Sequence, residues 1–377
     1  MSWISALAGL LLVSPSLKAE GATAAAPAAS ALSWLGYGEF SYQRPADDPA
    51  GARADLDRFV LGASYRFDER TRLVSEVEIE HAVSSAGDPG EVAIEQAYIE
   101  YQLGDALRAR LGLFLVPVGW LNEHHEPARH FGVFRNAVET AIIPTTWREG
   151  GLGVEGETAA GLHWDAGLTT GFDLSRWADA GDQAYSAPLA AIHQELAEAR
   201  AARGAAYVAL RYAPLASLTL GASAYGGNIG QGQAGLADPR LVLGELHARW
   251  RLGRLAVNAL HAEGRISGTA AVNAALSASA APVPAAFRGS YVEVAALLPG
   301  AARCPVSAFL RHEWLDTGAR YELPAGLPVP AAQPRQRLLT GGLQCALAPG
   351  VVLKADYTDV AGGSAGDRLA LGFGYEF

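Results

Sequence analysis

The chain has 377 residues, half of them hydrophobic, and a net charge of −10. That acidic balance argues against nucleic acid as a partner, because binding phosphate backbones needs a basic face. The apolar residues rarely run together, and the longest run, Ile4–Val13, is well short of the roughly 20 residues a helix needs to cross a bilayer.

That first run is followed by small residues and the step Ala22-Thr23-Ala24. The order matches the core and cleavage site of an export signal, so residues 1–24 are expected to be a signal peptide and 25–377 a single domain. A positive stretch ahead of the core is missing, and an amphipathic or buried N-terminal helix is the other reading.

From residue 32 onward the dominant pattern is alternation. Phe59, Leu61, Ala63, Tyr65 and Phe67 share one parity while Arg58, Gly62, Ser64 and Arg66 take the other. Leu73, Val77 and Ile79 alternate with Arg72, Glu76, Glu78 and Glu80, and Ala109, Leu111, Leu113 and Leu115 with Arg108, Arg110 and Gly112. Period two places one set on each face of a strand. Segments of about ten residues are long enough to cross a bilayer at a tilt.

Sixteen such segments are predicted, at 32–42, 57–67, 70–81, 92–102, 108–118, 150–158, 162–172 and 205–213, then 217–226, 241–251, 254–264, 287–298, 303–315, 335–347, 351–359 and 367–377. The connections alternate between short turns, such as Gly104-Asp105 and Pro349-Gly350, and longer loops, such as 119–149 and 173–204. Short periplasmic turns alternating with long external loops describe an all-β, closed transmembrane antiparallel barrel. Within the loops, 187–203 has helical spacing, and the Ala/Ser/Pro-rich 270–286 reads as flexible loop.

The third long loop carries Glu123, His124, His125, Glu126, Arg129, His130, Arg135, Glu139, Arg148 and Glu149 together with Trp120, Phe131, Phe134, Ile142, Ile143 and Trp147. So many apolar anchors need burial, and the barrel lumen is the available place. The loop is therefore expected to fold inward as a constriction that presents mixed charge to solutes. Glu123-His124-His125-Glu126 lacks the H-E-x-x-H spacing that points two ligands at one metal ion, and loop ion pairs explain these residues as well. No metal and no cofactor is expected, and no G-x-S-x-G elbow appears.

Arg58, Arg66, Arg108, Arg110, Arg211, Arg249, Arg311 and Arg337 are read on the polar parity of their strands. A charge facing lipid at mid-depth costs roughly 2–4 kcal/mol, so the lumen is their expected place, as partners for carboxylates, as a wall attracting anions, or both. Cys304 and Cys345 are read at the same height of neighbouring strands near the periplasmic rim. A disulfide and two separate buried thiols are both open. The last segment alternates Leu369, Leu371, Phe373, Tyr375 and Phe377, which resembles the C-terminal signature that outer-membrane proteins present to their assembly machinery.

The chain also resembles the phosphate-selective porin family of the O/P type. The resemblance lies in Gly112-Leu113-Phe114-Leu115-Val116-Pro117-Val118-Gly119, in Phe309-Leu310-Arg311-His312-Glu313, in Val352-Leu353-Lys354-Ala355-Asp356-Tyr357 and in the terminal aromatic strand. It implies an outer-membrane, usually homotrimeric channel with an inward third loop and arginines along the wall. The implied partners are the bilayer with its lipopolysaccharide, the barrel-assembly machinery and small hydrophilic, in that family anionic, solutes. The chain departs from the family in one respect. Phosphate selectivity there depends on lysine clusters, and beyond residue 24 this chain has only Lys354. An outer-membrane hydrolase and a plugged structural or adhesive barrel are the competing expectations.

Overall fold

The structure is a computed structural model describing residues 31–83, 85, 90–236, 238–276, 281–300, 304–325, 335–362 and 366–377. The expected signal peptide, 1–24, lies outside the described residues.

Sixteen strands close into one antiparallel barrel, each hydrogen-bonded to its neighbours in chain order. They are β1 Leu32–Pro45, β2 Arg53–Arg66, β3 Thr71–Glu80, β4 Val92–Gly104, β5 Leu107–Leu115, β6 Arg148–Glu157, β7 Leu162–Thr169 and β8 Ala205–Leu215. There follow β9 Leu218–Asn228, β10 Arg240–Leu252, β11 Leu255–Ser267, β12 Pro284–Leu297, β13 Val306–Tyr321, β14 Arg335–Ala348, β15 Val351–Ala361 and β16 Arg368–Glu376. No helix among the described residues is long and apolar enough to cross a membrane.

Closure satisfies the backbone groups that an open sheet edge would leave bare. At the seam, β1 pairs with β16 from Tyr37↔Glu376 to Pro45↔Arg368. The terminal residue completes it: Phe377 N–H donates to the Gly36 carbonyl at 2.9 Å, and Gly36 N–H donates back at 3.2 Å.

The outward face is an apolar belt that includes Leu111, Val242, Leu246, Val292, Leu310 and Leu343. Trp34, Tyr65, Phe67, Tyr101, Tyr212 and Trp250 stand exposed at the short-turn ends of their strands, as an interfacial aromatic girdle does. Toward the long-loop ends of β11 and β12, His261, Glu263, Arg265 and Arg288 also point outward, where the belt gives way to polar side chains.

Several sequence expectations need correction. The span 187–203 is not one helix: a single helical turn, Ala190–Ile192, falls within it, after a separate turn at Gln183–Ser186. Glu195, Leu196 and Glu198 then take positive φ. Gln194 accepts from the Arg200 N–H at 2.7 Å and donates to the Arg200 carbonyl at 3.0 Å, replacing helical bonds. Within 270–286, a helix spans Thr269–Ala275 with Val272 buried, and β12 begins at Pro284, while 277–280 lie outside the described residues.

Arg337 does not belong to the inner wall. It shares its parity with the outward-facing Leu339 and Leu343, while Leu338 is buried in the interior. Adjacent leucines break the alternation there. Near the rim an outward arginine reaches headgroups at little cost, which frees the inward position for an apolar side chain. Arg148 and Glu149 are the first residues of β6 and not part of the loop.

Candidate functional site

The connection from Val116 to Trp147 runs inside the barrel and is bonded to the far wall. Val133 N–H donates to Asp356 at 2.6 Å, Ala137 N–H to Glu313 at 2.5 Å and Lys354 Nζ to the Gly132 carbonyl at 2.8 Å. Gln344 donates to the His130 carbonyl at 3.1 Å. Phe131 stacks on Phe309 with ring centroids 6.1 Å apart, while Ile142, Ile143 and Trp147 are fully buried.

Glu139 fixes the segment's shape. Its carboxylate accepts from the N–H groups of Trp120 at 2.6 Å and Leu121 at 2.7 Å, from Asn136 Nδ2 at 2.8 Å and from Tyr291 Oη at 3.1 Å. Gly119 enters this turn at φ +80°, and a Cβ there would meet the Glu139 carboxylate. Glu139 is thus a buried pin and faces no solute.

The remaining residues of the segment occupy distinct places. His125 Nδ1 donates to the Asn122 carbonyl at 2.9 Å, and its Nε2 lies 2.6 Å from Tyr37 Oη and 3.2 Å from Glu95. Arg129 reaches Glu376 at 3.3 Å and Glu126 at 3.7 Å. His124 lies flat on Trp120, centroids 3.9 Å apart, with Arg249 over the same indole at 4.3 Å. Burial holds the His124 imidazole below its usual range. His130 lies well below it, through burial and then the charge of Lys354. Burial, with Arg58 nearby, lowers Arg135 to about 10, and its guanidinium bonds Thr145 and Thr146.

Arg148 bridges to Glu195 at 3.0 Å, and Glu149 sits in an aromatic cluster, accepting from Trp147 Nε1 at 3.0 Å and Tyr225 Oη at 2.9 Å. Both brace the wall.

The inward arginines are largely engaged. Arg58 holds Glu39 at 2.7 Å and Glu78 at 3.9 Å, Arg108 holds Glu155 at 2.6 Å, and Arg110 bonds Asp165. Arg311 holds Glu313 at 2.7 Å and Glu293 at 3.5 Å. Arg211 lines a narrow cavity, and Arg66 stands exposed at the short-turn end of β2. Arg337 is excluded by its outward face, as above.

Tyr37, Glu95, Asp165, His163, His247 and Glu376 were not singled out from the sequence. Glu95 points inward because the register slips between Glu76 and Val77, turning Glu95 and Gln96 to the same side. The successive polar pair Glu95-Gln96 inside an alternating strand was the available sign of that bulge.

Three cavities follow the short-turn side of the segment. One of 460 Å³ lies between Tyr37, Glu76, Gln96 and the residues Glu123, His125 and Glu126. One of 30 Å³ lies between Trp120, His124 and the wall of His163, Asp165, Arg211, Glu245 and His247. A third of 320 Å³ opens at Asp105, Arg108, Glu155 and His163.

With this geometry in place, comparison with known proteins gives a consistent result. No family model matches the chain. An uncharacterized protein of Aquifex aeolicus (strain VF5) is 31% identical over 331 residues, spanning 85% of this chain and 74% of that protein. The chain belongs to that protein's family. Among solved structures, OmpF of Salmonella typhi in complex with daunomycin matches with a TM-score of 0.62 at 11% identity, over 92% of this chain and 97% of that one. The anion-selective porin from Comamonas acidovorans matches with a TM-score of 0.54 at 12% identity, over 92% and 99%. The chain therefore has the barrel fold of outer-membrane porins.

Among the described residues, no group of three or more His, Cys, Asp or Glu is placed to hold a metal ion. A serine–histidine contact does exist, His261 Nδ1 to Ser290 Oγ at 2.7 Å, on the outward face. Glu263, the nearby carboxylate on β11, is engaged by Arg265 at 2.7 Å, so the imidazole lacks the orienting acid that a nucleophilic serine needs. Cys304 and Cys345 are joined in a disulfide, their Cα atoms 5.9 Å apart, beside the Val306↔Cys345 pair.

Proposed function

We propose that this protein is an outer-membrane porin through which small hydrophilic solutes diffuse passively. The observation that carries the reading is the segment 116–147, held inside a sixteen-stranded barrel with polar cavities along one side of it. Selection in such a channel needs only width and charge, with no cofactor. The constriction residues are then Glu123, His124, His125 and Glu126, backed by wall residues Arg108, Arg110, Arg211 and Arg249.

The same reading takes residues 1–24 as an export signal and the outer membrane, with its lipopolysaccharide, as the destination. Phe377, bonded into the seam, serves as the assembly signal. The O/P-type resemblance supports a homotrimer with an inward third loop. It supports phosphate as the solute less well, since the cluster of lysines is absent.

Planar-bilayer recording tests the proposal. Stepwise conductance from purified, folded protein is expected, and a folded barrel that never conducts would refute it. A plugged barrel is the second reading, favoured by the 30 Å³ cavity beside Trp120 and by the apolar packing inside the long-loop half.

A further inference from the structure

The three lumenal cavities share walls. Glu123 lines both the 460 Å³ and the 30 Å³ cavity, and His163 lines both the 30 Å³ and the 320 Å³ cavity. These two side chains stand between neighbouring cavities.

Each cavity is acidic. The first has Glu76, Glu123, Glu126 and Glu376 against Arg129, and the second has Glu123, Asp165 and Glu245 against Arg211. The third has Asp105, Glu155 and Glu157 against Arg108. Two of these three arginines are moreover already engaged: Arg129 by Glu376 and Glu126, and Arg108 by Glu155. Across the segment, Arg58, Arg148 and Arg311 each face two carboxylates. In the first and third cavities an entering anion would have to displace a carboxylate from an arginine, whereas an entering cation meets carboxylates in excess of arginines.

A separate observation points the same way at the narrowest cavity. The Glu245 side chain is 1% exposed, and its Oε1 has no hydrogen-bond partner. Its other oxygen is 3.0 Å from His247 Nδ1, and His247 Nε2 is also without a partner. A buried carboxylate oxygen without a partner, beside a polar cavity, acts on a passing positive charge through its field. Low-dielectric walls focus the field of such a group.

Resting on the porin reading, we propose that the lumen selects for small inorganic cations, with Glu123 and Glu245 as specificity-determining residues. The sign is opposite to that of the arginine-walled, phosphate-selective frame the sequence resembles.

The test is the reversal potential of the purified, folded protein in a planar bilayer under a tenfold KCl gradient. A potassium-over-chloride permeability ratio of several-fold is expected, falling at least two-fold in Glu123→Gln and in Glu245→Gln at comparable conductance. Because Glu245 is buried, Glu126→Gln, at a half-exposed position lining the 460 Å³ cavity, serves as the second variant, and heat-modifiable mobility on gels verifies folding of each. Conductance with chloride preference or none, or ratios unchanged in all three folded variants, would overturn the cation assignment and leave the porin reading standing. Absence of any conductance would overturn both.

Discussion

The two halves of the lumen are built from the same strands and filled in opposite ways. Toward the short turns, the inward positions of β10 are Arg249, His247 and Glu245, and cavities remain beside them. Further along the same strand the inward positions become Leu243 and Leu241, both fully buried. They join Trp147, Phe172, Trp177, Leu189, Ile192, Tyr225 and Ile229 in one apolar cluster contributed by loops and wall together. A barrel interior is therefore no single environment. Where loops fold down to meet it, the wall packs as a protein core; where they do not, it stays polar and hydrated.

The largest expected effect follows from that packing. Trp147 touches Phe172 and Tyr225, with centroids 5.0 and 4.5 Å away, and donates to Glu149. Trp147→Ala should cost about 3–5 kcal/mol, as large-to-small changes in close-packed cores do. The urea midpoint of the folded barrel should fall accordingly, whereas Thr219→Ala, at the short-turn end of β9, should shift it little. Equal shifts would erase the distinction between the halves.

The same distinction explains what could be read from the sequence. Outward residues meet one solvent, lipid, along most of the strand, so alternation reported all sixteen strands, with ends within four residues except at β13, which runs six residues past its expected end. Phe59, Leu61, Ala63 and Tyr65 are legible for that reason alone. Inward residues meet water, loop or an opposing charge depending on contacts far away in the chain. Nothing local to Glu139 announced that it would pin Trp120, Leu121 and Tyr291, and nothing local to Tyr37 announced His125. That the apolar anchors Ile142, Ile143 and Trp147 need burial was legible, and they are buried, but which charges of the same segment line the cavities was not: Glu123 and Glu126 do, whereas Glu139 is held by Trp120, Leu121 and Tyr291.

Acid should weaken the inward segment, by less than the tryptophan deletion. Burial holds the imidazoles of His124, His130 and His193 below the ordinary value of 6.5, with Lys354 and Arg135 adding to it at His130. As pH falls past that value, the unfolded chain binds protons that the folded chain does not. The stability contributed by keeping these rings neutral is complete above about 6.5 and declines below it. Thermal midpoints at pH 7.5 and 5.5 should show the lower value in acid, with a smaller difference in His130→Gln. A barrel equally stable at both values would mean that protonation is absorbed without moving the loops.

The smallest effect tests where the wall ends. Arg337 is exposed on the outward parity of β14, opposite Trp314 of β13 and Ala361 of β15. Arg311, two strand positions below Glu313 on the inward parity of β13, is buried against Glu313 and Glu293. Arg337→Leu removes a charge that faces headgroups, so stability should change by no more than about 0.5 kcal/mol, the usual range for surface substitutions. Ion preference in the bilayer should not change either. A shift in reversal potential on replacing Arg337 would place its charge within reach of the conduction path. The inner wall would then continue to the long-loop rim, and the apolar cluster beneath Leu338 could not seal that half of the lumen.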